Sequence, residues 1–190
     1  MTTYHPVVEL PENYPIFDLR RGTIPEVVGD REWGVGLYNE LREDVYSQFY
    51  HGDRIIHLGV DLFGPAGTPV HAFADGEILM TGINDKAGDY GPTIICKHRL
   101  HDGTIIYALY GHLATKSLAG KVPGQAIKAG EIIAWIGKTH ENGGWNSHAH
   151  FQLATEPPEV CDMPGTAAPG QLESALKRYP DPRTVLGPIF

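Results

Sequence analysis

A mostly β fold, an antiparallel sheet or sandwich, is what this 190-residue chain predicts. Glycine and proline are plentiful, at 23 and 15 residues, which implies many turns. From Ile55 to Leu153, short runs rich in β-branched and aromatic residues alternate with turn signals. The hydrophobic fraction of 42% and charged fraction of 20% are ordinary for a soluble globular domain, long enough to close a core without cross-links.

In chain order, residues 1–50 read as an extension packed on the body. Its first part holds Pro6, Pro11, Pro15 and Pro25 and shows no sustained periodicity, so an extended lead-in with little structure of its own is expected. Leu37, Leu41, Val45 and Phe49 recur every four positions, which fits either a short helix or irregular structure. Residues 51–156 read as the main domain. Thr68 to Phe73, the turn Ala74-Asp75-Gly76 and Glu77 to Met80 together predict a hairpin. Further strands are expected over Thr93–Lys97, Thr104–Tyr110, Glu131–Ile136 and His148–Leu153, with His101-Asp102-Gly103 as a tight antiparallel turn. Residues 157–190 read as a loop and a short helix over Gln171–Tyr179, stopped by Pro180.

The net charge of −8 is not relieved by any cluster of Lys or Arg, which excludes nucleic acid as an expected partner. Cys96 and Cys161 are too few for a disulfide framework or a cysteine-rich metal site and read as packing residues. No stretch approaches membrane-spanning length, so no membrane partner is expected. The N-terminus shows no basic start followed by an apolar run; as written the chain is expected to be cytoplasmic, and extracytoplasmic if a leader has been trimmed.

Among ten histidines, spacing must separate ligands from bystanders. In His57-Leu58-Gly59-Val60-Asp61 an imidazole and a carboxylate flank a glycine that lets the backbone bend both toward one ion. Alone, the pattern also fits a strand end with an incidental His and a turn Asp. In His148-Ala149-His150 strand alternation puts both imidazoles on one face, roughly 6 to 7 Å apart. One can then hold a metal while the other stands beside its open position, unless both merely face solvent. His112 follows a β-type run, at a strand end where a site can form. One Asp and two His leave a fourth zinc position for water, which is the pattern of a catalytic rather than a structural site. Gln152 shares the His150 face, either orienting a ligand or simply packing. In the loop before that strand, Trp145 and Asn146 either line a substrate groove or pack inward. His5, His51, His71, His98, His101 and His140 are expected to bind no zinc.

The stretch from His57 to Leu153 resembles the lysostaphin or LytM type of zinc endopeptidase, metallopeptidase family twenty-three. The signatures are His-x-x-x-Asp at His57 to Asp61 and His-x-His at His148 to His150. Between them, Gly67-Thr68-Pro69-Val70, Tyr110-Gly111-His112-Leu113 and Lys128-Ala129-Gly130-Glu131 follow in the family's order. The resemblance implies a lysostaphin-type, duplicated-hybrid-motif-like sheet with one zinc per chain held by His57, Asp61 and His150. It further implies that His112 and His148 are the catalytic histidines, with His148 as base and His112 serving the oxyanion or leaving group. The implied activity is hydrolysis of peptide bonds, with a peptide or peptidoglycan cross-link as substrate.

Two other readings are weighed. A non-catalytic member that binds peptide or cell wall is one; the presence of all five site residues counts against it. Biotinyl, lipoyl or phosphohistidine carrier modules share the Gly67–Val70 and Lys128–Glu131 wording, but no Met-Lys pair occurs for a biotinyl or lipoyl attachment and a phosphohistidine carrier does not explain Asp61. The sequence does not disclose the oligomeric state.

Overall fold

The computed structural model describes residues 4–29, 31–47 and 53–190. Strands dominate it. Before the main domain come β1 (Ile16–Phe17) and β2 (Gly34–Gly36); then follow β3 (Ile56–His57), β4 (Val60–Phe63), β5 (Pro69–His71) and β6 (Gly76–Asn84). The long strands β7 (Gly91–Arg99) and β8 (Ile105–Gly111) precede β9 (Ala126–Ile127), β10 (Ile132–Trp135), β11 (His148–Ala154) and β12 (Thr166–Ala167). Short helices are α1 (Ile24–Val28), α2 (Glu43–Tyr46), α3 (Leu172–Arg178) and α4 (Arg183–Leu186). Among the described residues, no helix is long and apolar enough to cross a membrane.

The main sheet runs β1-β2-β4-β11-β8-β7-β6-β9, and smaller pairs join β10 to β5 and β12 to β3. Strand β11 shows why it sits near the centre. Ala149, Phe151 and Leu153 point into the main core with Val60, Ile94, Tyr110 and Ile133. The alternate residues His148, His150 and Gln152 take the opposite face and are also buried. Complete burial of a side chain such as Phe151 contributes about 1.5–3 kcal/mol, which holds the central strand's register against slippage.

The tight turn at residues 101–103 joins β7 to β8 as expected: Leu100 N donates to Thr104 O at 2.8 Å, and Gly103 supplies a φ of 88°. The expected hairpin across residues 74–76 does not form. Strand β5 pairs with β10, whereas β6 pairs with β7 and β9. The turn is instead a corner between sheets, because the Asp75 carboxylate accepts from Ala129 N and Lys128 Nζ, both at 2.9 Å, and so ties it to a remote loop. The four-residue repeat from Leu37 also gives less helix than its spacing suggests. Asn39 sits in the left-handed region at φ 55°, which breaks the run, and helix is confined to Glu43–Tyr46; Phe49 lies outside the described residues, as does His51. The N-terminal extension does more than wrap the body, since β1 and β2 become the edge of the main sheet. Helix α3 lies within the expected span, and Arg178 O at its end accepts from Thr155 N at 2.9 Å, just past β11.

His98 is a structural histidine. Its Nδ1–H donates to Ala74 O at 3.0 Å, and Nε2 stands 3.3 Å from the Tyr110 hydroxyl, which donates to it. This pairing suits the neutral ring, and burial pushes its pKa down to about 4. The unfolded chain therefore binds a proton that the folded one refuses between pH about 6.5 and about 4. Stability from this group is complete above that window and is lost as pH falls through it, by roughly 3 kcal/mol. In metal-free protein, urea midpoints at pH 7 and pH 4.5 should differ less for His98→Gln than for the wild type. Equal differences would remove His98 from the account.

Candidate metal centre

Three strands bring the site together. In the antiparallel pair β4–β11, His150 stands directly opposite Asp61, and His148 opposite Phe63. Directly opposed side chains have Cβ atoms about 4.5–5.5 Å apart, so carboxylate and imidazole meet without any loop having to place them. His57 closes the group from the end of β3, with two residues between it and the start of β4. The intervening Gly59 is needed for packing: a Cβ there would lie 2.4 Å from His150 Cε1 and 2.9 Å from Phe151 O. Any side chain at that position would displace the His150 ring.

The ligand-type atoms converge closely. Asp61 Oδ1 lies 3.0 Å from His150 Nδ1 and 3.3 Å from His57 Nε2, and those two nitrogens are 3.1 Å apart. Among the described residues this trio is the group able to hold a metal ion, and all three are buried. His148 stands beside it, with Nε2 at 3.6 Å from Asp61 Oδ1 and its ring stacked on Phe63 at 4.8 Å between centroids. His112 lies next to His148, ring centroids 4.4 Å apart. It adopts φ 58°, a left-handed conformation that costs a non-glycine residue about 1–2 kcal/mol. The five residues singled out from sequence thus meet in one place.

The outer partners fix where each imidazole carries its hydrogen. His57 Nδ1 donates to Leu37 O at 2.8 Å, His112 Nδ1 to Asn142 O at 2.8 Å and His148 Nδ1 to Asn146 O at 2.6 Å. Carbonyls only accept, so Nε2 of each ring is left with a lone pair. His150 is reversed. Gln152 Nε2 donates to Pro164 O at 3.1 Å, which turns Gln152 Oε1 toward His150 Nε2 at 3.0 Å and leaves Nδ1 as the lone-pair nitrogen. His57 Nε2, His150 Nδ1 and Asp61 Oδ1 therefore face one another as acceptors with no hydrogen to share. Such a cluster suits a cation, and its spacings match the roughly 3.3 Å between ligand atoms of a tetrahedral zinc with bonds near 2.0–2.1 Å.

Charge agrees with that assignment. Burial alone would raise the Asp61 pKa, but His57, Arg42 and His148 reverse it and hold the carboxyl well below the usual carboxylate range. Burial, reinforced by Arg42, takes His57 down to about 4. Burial also lowers His112, with His148 and His150 adding to it, and lowers His148. At neutral pH the carboxylate is ionised and these three rings are neutral, the forms that bind metal or accept protons.

The group opens onto a cleft of about 380 Å³. Trp145 lines it while also packing with Phe17, Ile24 and Phe63, so the wall and the packing roles coincide. Asn146 lines a separate hollow and serves the cluster through its backbone carbonyl. Sequence reasoning missed several contributors. Asn142 is wholly buried and holds its loop by accepting from Trp145 N at 3.0 Å; Tyr90 packs its ring against His150 at 5.0 Å; Arg42 and Glu40 lie behind Asp61. Asparagine in a Gly-rich loop and a Glu-x-Arg pair both read as surface features, and nothing local signals their burial. Among the described residues, His5, His71, His98, His101 and His140 stay outside the cluster.

The chain is similar to known proteins. The sequence model of peptidase family M23 matches residues 55–160. The DD-carboxypeptidase/endopeptidase Mpg of Neisseria meningitidis is 34% identical over 103 residues, which are 54% of this chain and 21% of Mpg. The glycyl-glycine endopeptidase ALE-1 of Staphylococcus capitis is 36% identical over 101 residues, 52% of this chain and 25% of its own. The catalytic domain of lysostaphin from Staphylococcus simulans aligns over 75% of this chain and 92% of its own, at 26% identity and a TM-score of 0.48. This chain therefore spans about a fifth to a quarter of the length of the two curated relatives.

Proposed function

The chain belongs to peptidase family M23, and from that premise we propose that it is a zinc-dependent endopeptidase whose substrate is a peptide cross-link of peptidoglycan. The observation that carries this reading is the meeting of three buried acceptor atoms, on His57, Asp61 and His150, beside two further neutral histidines at an open cleft. The choice of substrate is supported by two relatives, a DD-carboxypeptidase/endopeptidase and a glycyl-glycine endopeptidase.

Zinc bound by His57 Nε2, Asp61 Oδ1 and His150 Nδ1 would supply Lewis acidity at the head of the cleft. The remaining work belongs to the side chains. His148 Nε2 is unprotonated and is placed to take the proton from an attacking water, while its Nδ1–H bond to Asn146 O holds the tautomer and supports the charge that develops. His112, adjacent to it and fixed through Asn142 O, would serve the oxyanion or the leaving amine once its Nε2 has gained a proton. Gln152, held by Pro164 O, orients His150 from outside the ligand set.

The direct test is elemental analysis of the wild-type protein together with cleavage of pentaglycine-type peptides and of purified peptidoglycan. One zinc per chain, cleavage abolished by a chelator, and recovery on adding zinc are expected. A protein that takes up no zinc on reconstitution would sink the metal reading. One that holds zinc but cuts neither substrate would sink the proposed wall endopeptidase.

A further inference from the structure

The segment before the matched family region builds much of the support behind the metal ligands. Strand β2 pairs antiparallel with β4, with Gly36 opposite Asp61. The chain then turns so that Asn39 N donates to His57 O and His57 N donates to Glu40 O, both at 2.9 Å. Leu37 O accepts from His57 Nδ1 at 2.8 Å and from Arg42 Nη2 at 3.2 Å. Arg42 Nη1 donates to Asp61 Oδ2 at 2.6 Å, and Arg42 Nε donates to Glu40 Oε2 at 2.8 Å. The other Glu40 oxygen accepts from Leu19 N at 2.9 Å. Arg42 is 1% exposed and Glu40 5%.

We propose that Glu40 and Arg42 form a positioning pair that holds Asp61 in a one-oxygen binding pose, so that the metal centre of this chain depends on its N-terminal segment. The inference rests on the zinc site proposed above. Arg42 occupies Asp61 Oδ2, which leaves Oδ1 as the oxygen facing His57, His148 and His150. A carboxylate without that restraint can rotate to offer both oxygens or neither. Arginine suits this position because a planar fork can serve Asp61, Glu40 and Leu37 O together, whereas a lysine ammonium cannot span them. Glu40 in turn fixes the guanidinium and balances its buried charge. Gly36 leaves the needed space, since a Cβ there would lie 2.8 Å from Arg42 Nη2 and 3.2 Å from Asp61 Oδ2. Although Arg42 borders the cleft, Nε, Nη1 and Nη2 are each engaged with the protein. Its role is therefore to act through Asp61 and not on substrate.

The test measures zinc affinity by chelator competition, and the visible spectrum of the cobalt-loaded form, for wild type, Arg42→Met, Arg42→Lys and Glu40→Gln. Thermal unfolding of each metal-free protein is run alongside. Zinc binding is expected to weaken roughly 100-fold in Arg42→Met and roughly tenfold in Arg42→Lys and Glu40→Gln, with a changed cobalt spectrum. A purely structural pair would instead lower the unfolding temperature and leave zinc affinity and the cobalt spectrum at wild-type values, which overturns the proposal. Should Arg42→Met fail to fold, Glu40→Gln decides, because Gln keeps an acceptor for Leu19 N. A wild type without zinc would overturn the metal reading itself; zinc-binding wild type with unaltered variants would overturn only the positioning role.

Discussion

Replacing Asp61 or His150 with alanine is expected to empty the metal centre, so that neither variant retains zinc where the wild type holds one equivalent, and peptide cleavage falls to background. Each would supply one of the three protein ligands of the proposed site, and two ligands hold zinc far less well than three. The two variants should differ in the metal-free state. Asp61→Ala also strips Arg42 of a 2.6 Å partner and leaves a buried guanidinium with Glu40 as its remaining counter-charge. Breaking a buried pair in this way costs about 3–5 kcal/mol, and the Glu40 contact keeps the loss near the lower figure. In a chain of 190 residues that corresponds to an unfolding temperature lowered by roughly 10 °C. His150→Ala removes no charge partner of Arg42 and should unfold closer to wild type. Elemental analysis and calorimetry of metal-free protein check both halves. Stoichiometric zinc in Asp61→Ala would refute the ligand assignment.

Substitution of His148 or His112 should give the opposite pattern, with zinc retained and turnover lost. Neither belongs to the trio whose atoms converge, yet both rings border the same cleft. A positioned general acid or base contributes about 10²–10⁴-fold, and kcat should fall by that factor in His148→Ala and in His112→Ala. The double variant should lose little more than the worse single one, because groups acting as a unit are not additive. Zinc-loaded single variants with full activity would refute these roles. Loss of zinc from His148→Ala would make His148 a ligand instead, which its place outside the converging trio argues against.

How much of this could be read along the chain depended on range. The alternation in His148-Ala149-His150-Phe151-Gln152-Leu153 is a local property, and it set both the site face and the core face of β11 before any fold was known. The turn at residues 101–103 was equally local. Pairing partners were not, since β5 is completed by β10 from far along the chain and not by the strand that follows it. Strands β1 and β2 have only two and three residues, too few for periodicity to register.

The sequence by itself determined the strand-rich middle of the chain and the five residues that meet at the centre, because alternation, turn chemistry and motif spacing are carried by neighbouring residues. Tertiary structure alone decided the hydrogen positions on the four imidazoles, through Leu37 O, Asn142 O, Asn146 O and Gln152 Oε1. It alone also decided that Glu40 and Arg42, charged residues that read as solvent-facing, are buried behind Asp61. The reason is that a lone pair's direction and a charge's solvation depend on which distant segment packs against it, and no local pattern encodes that segment.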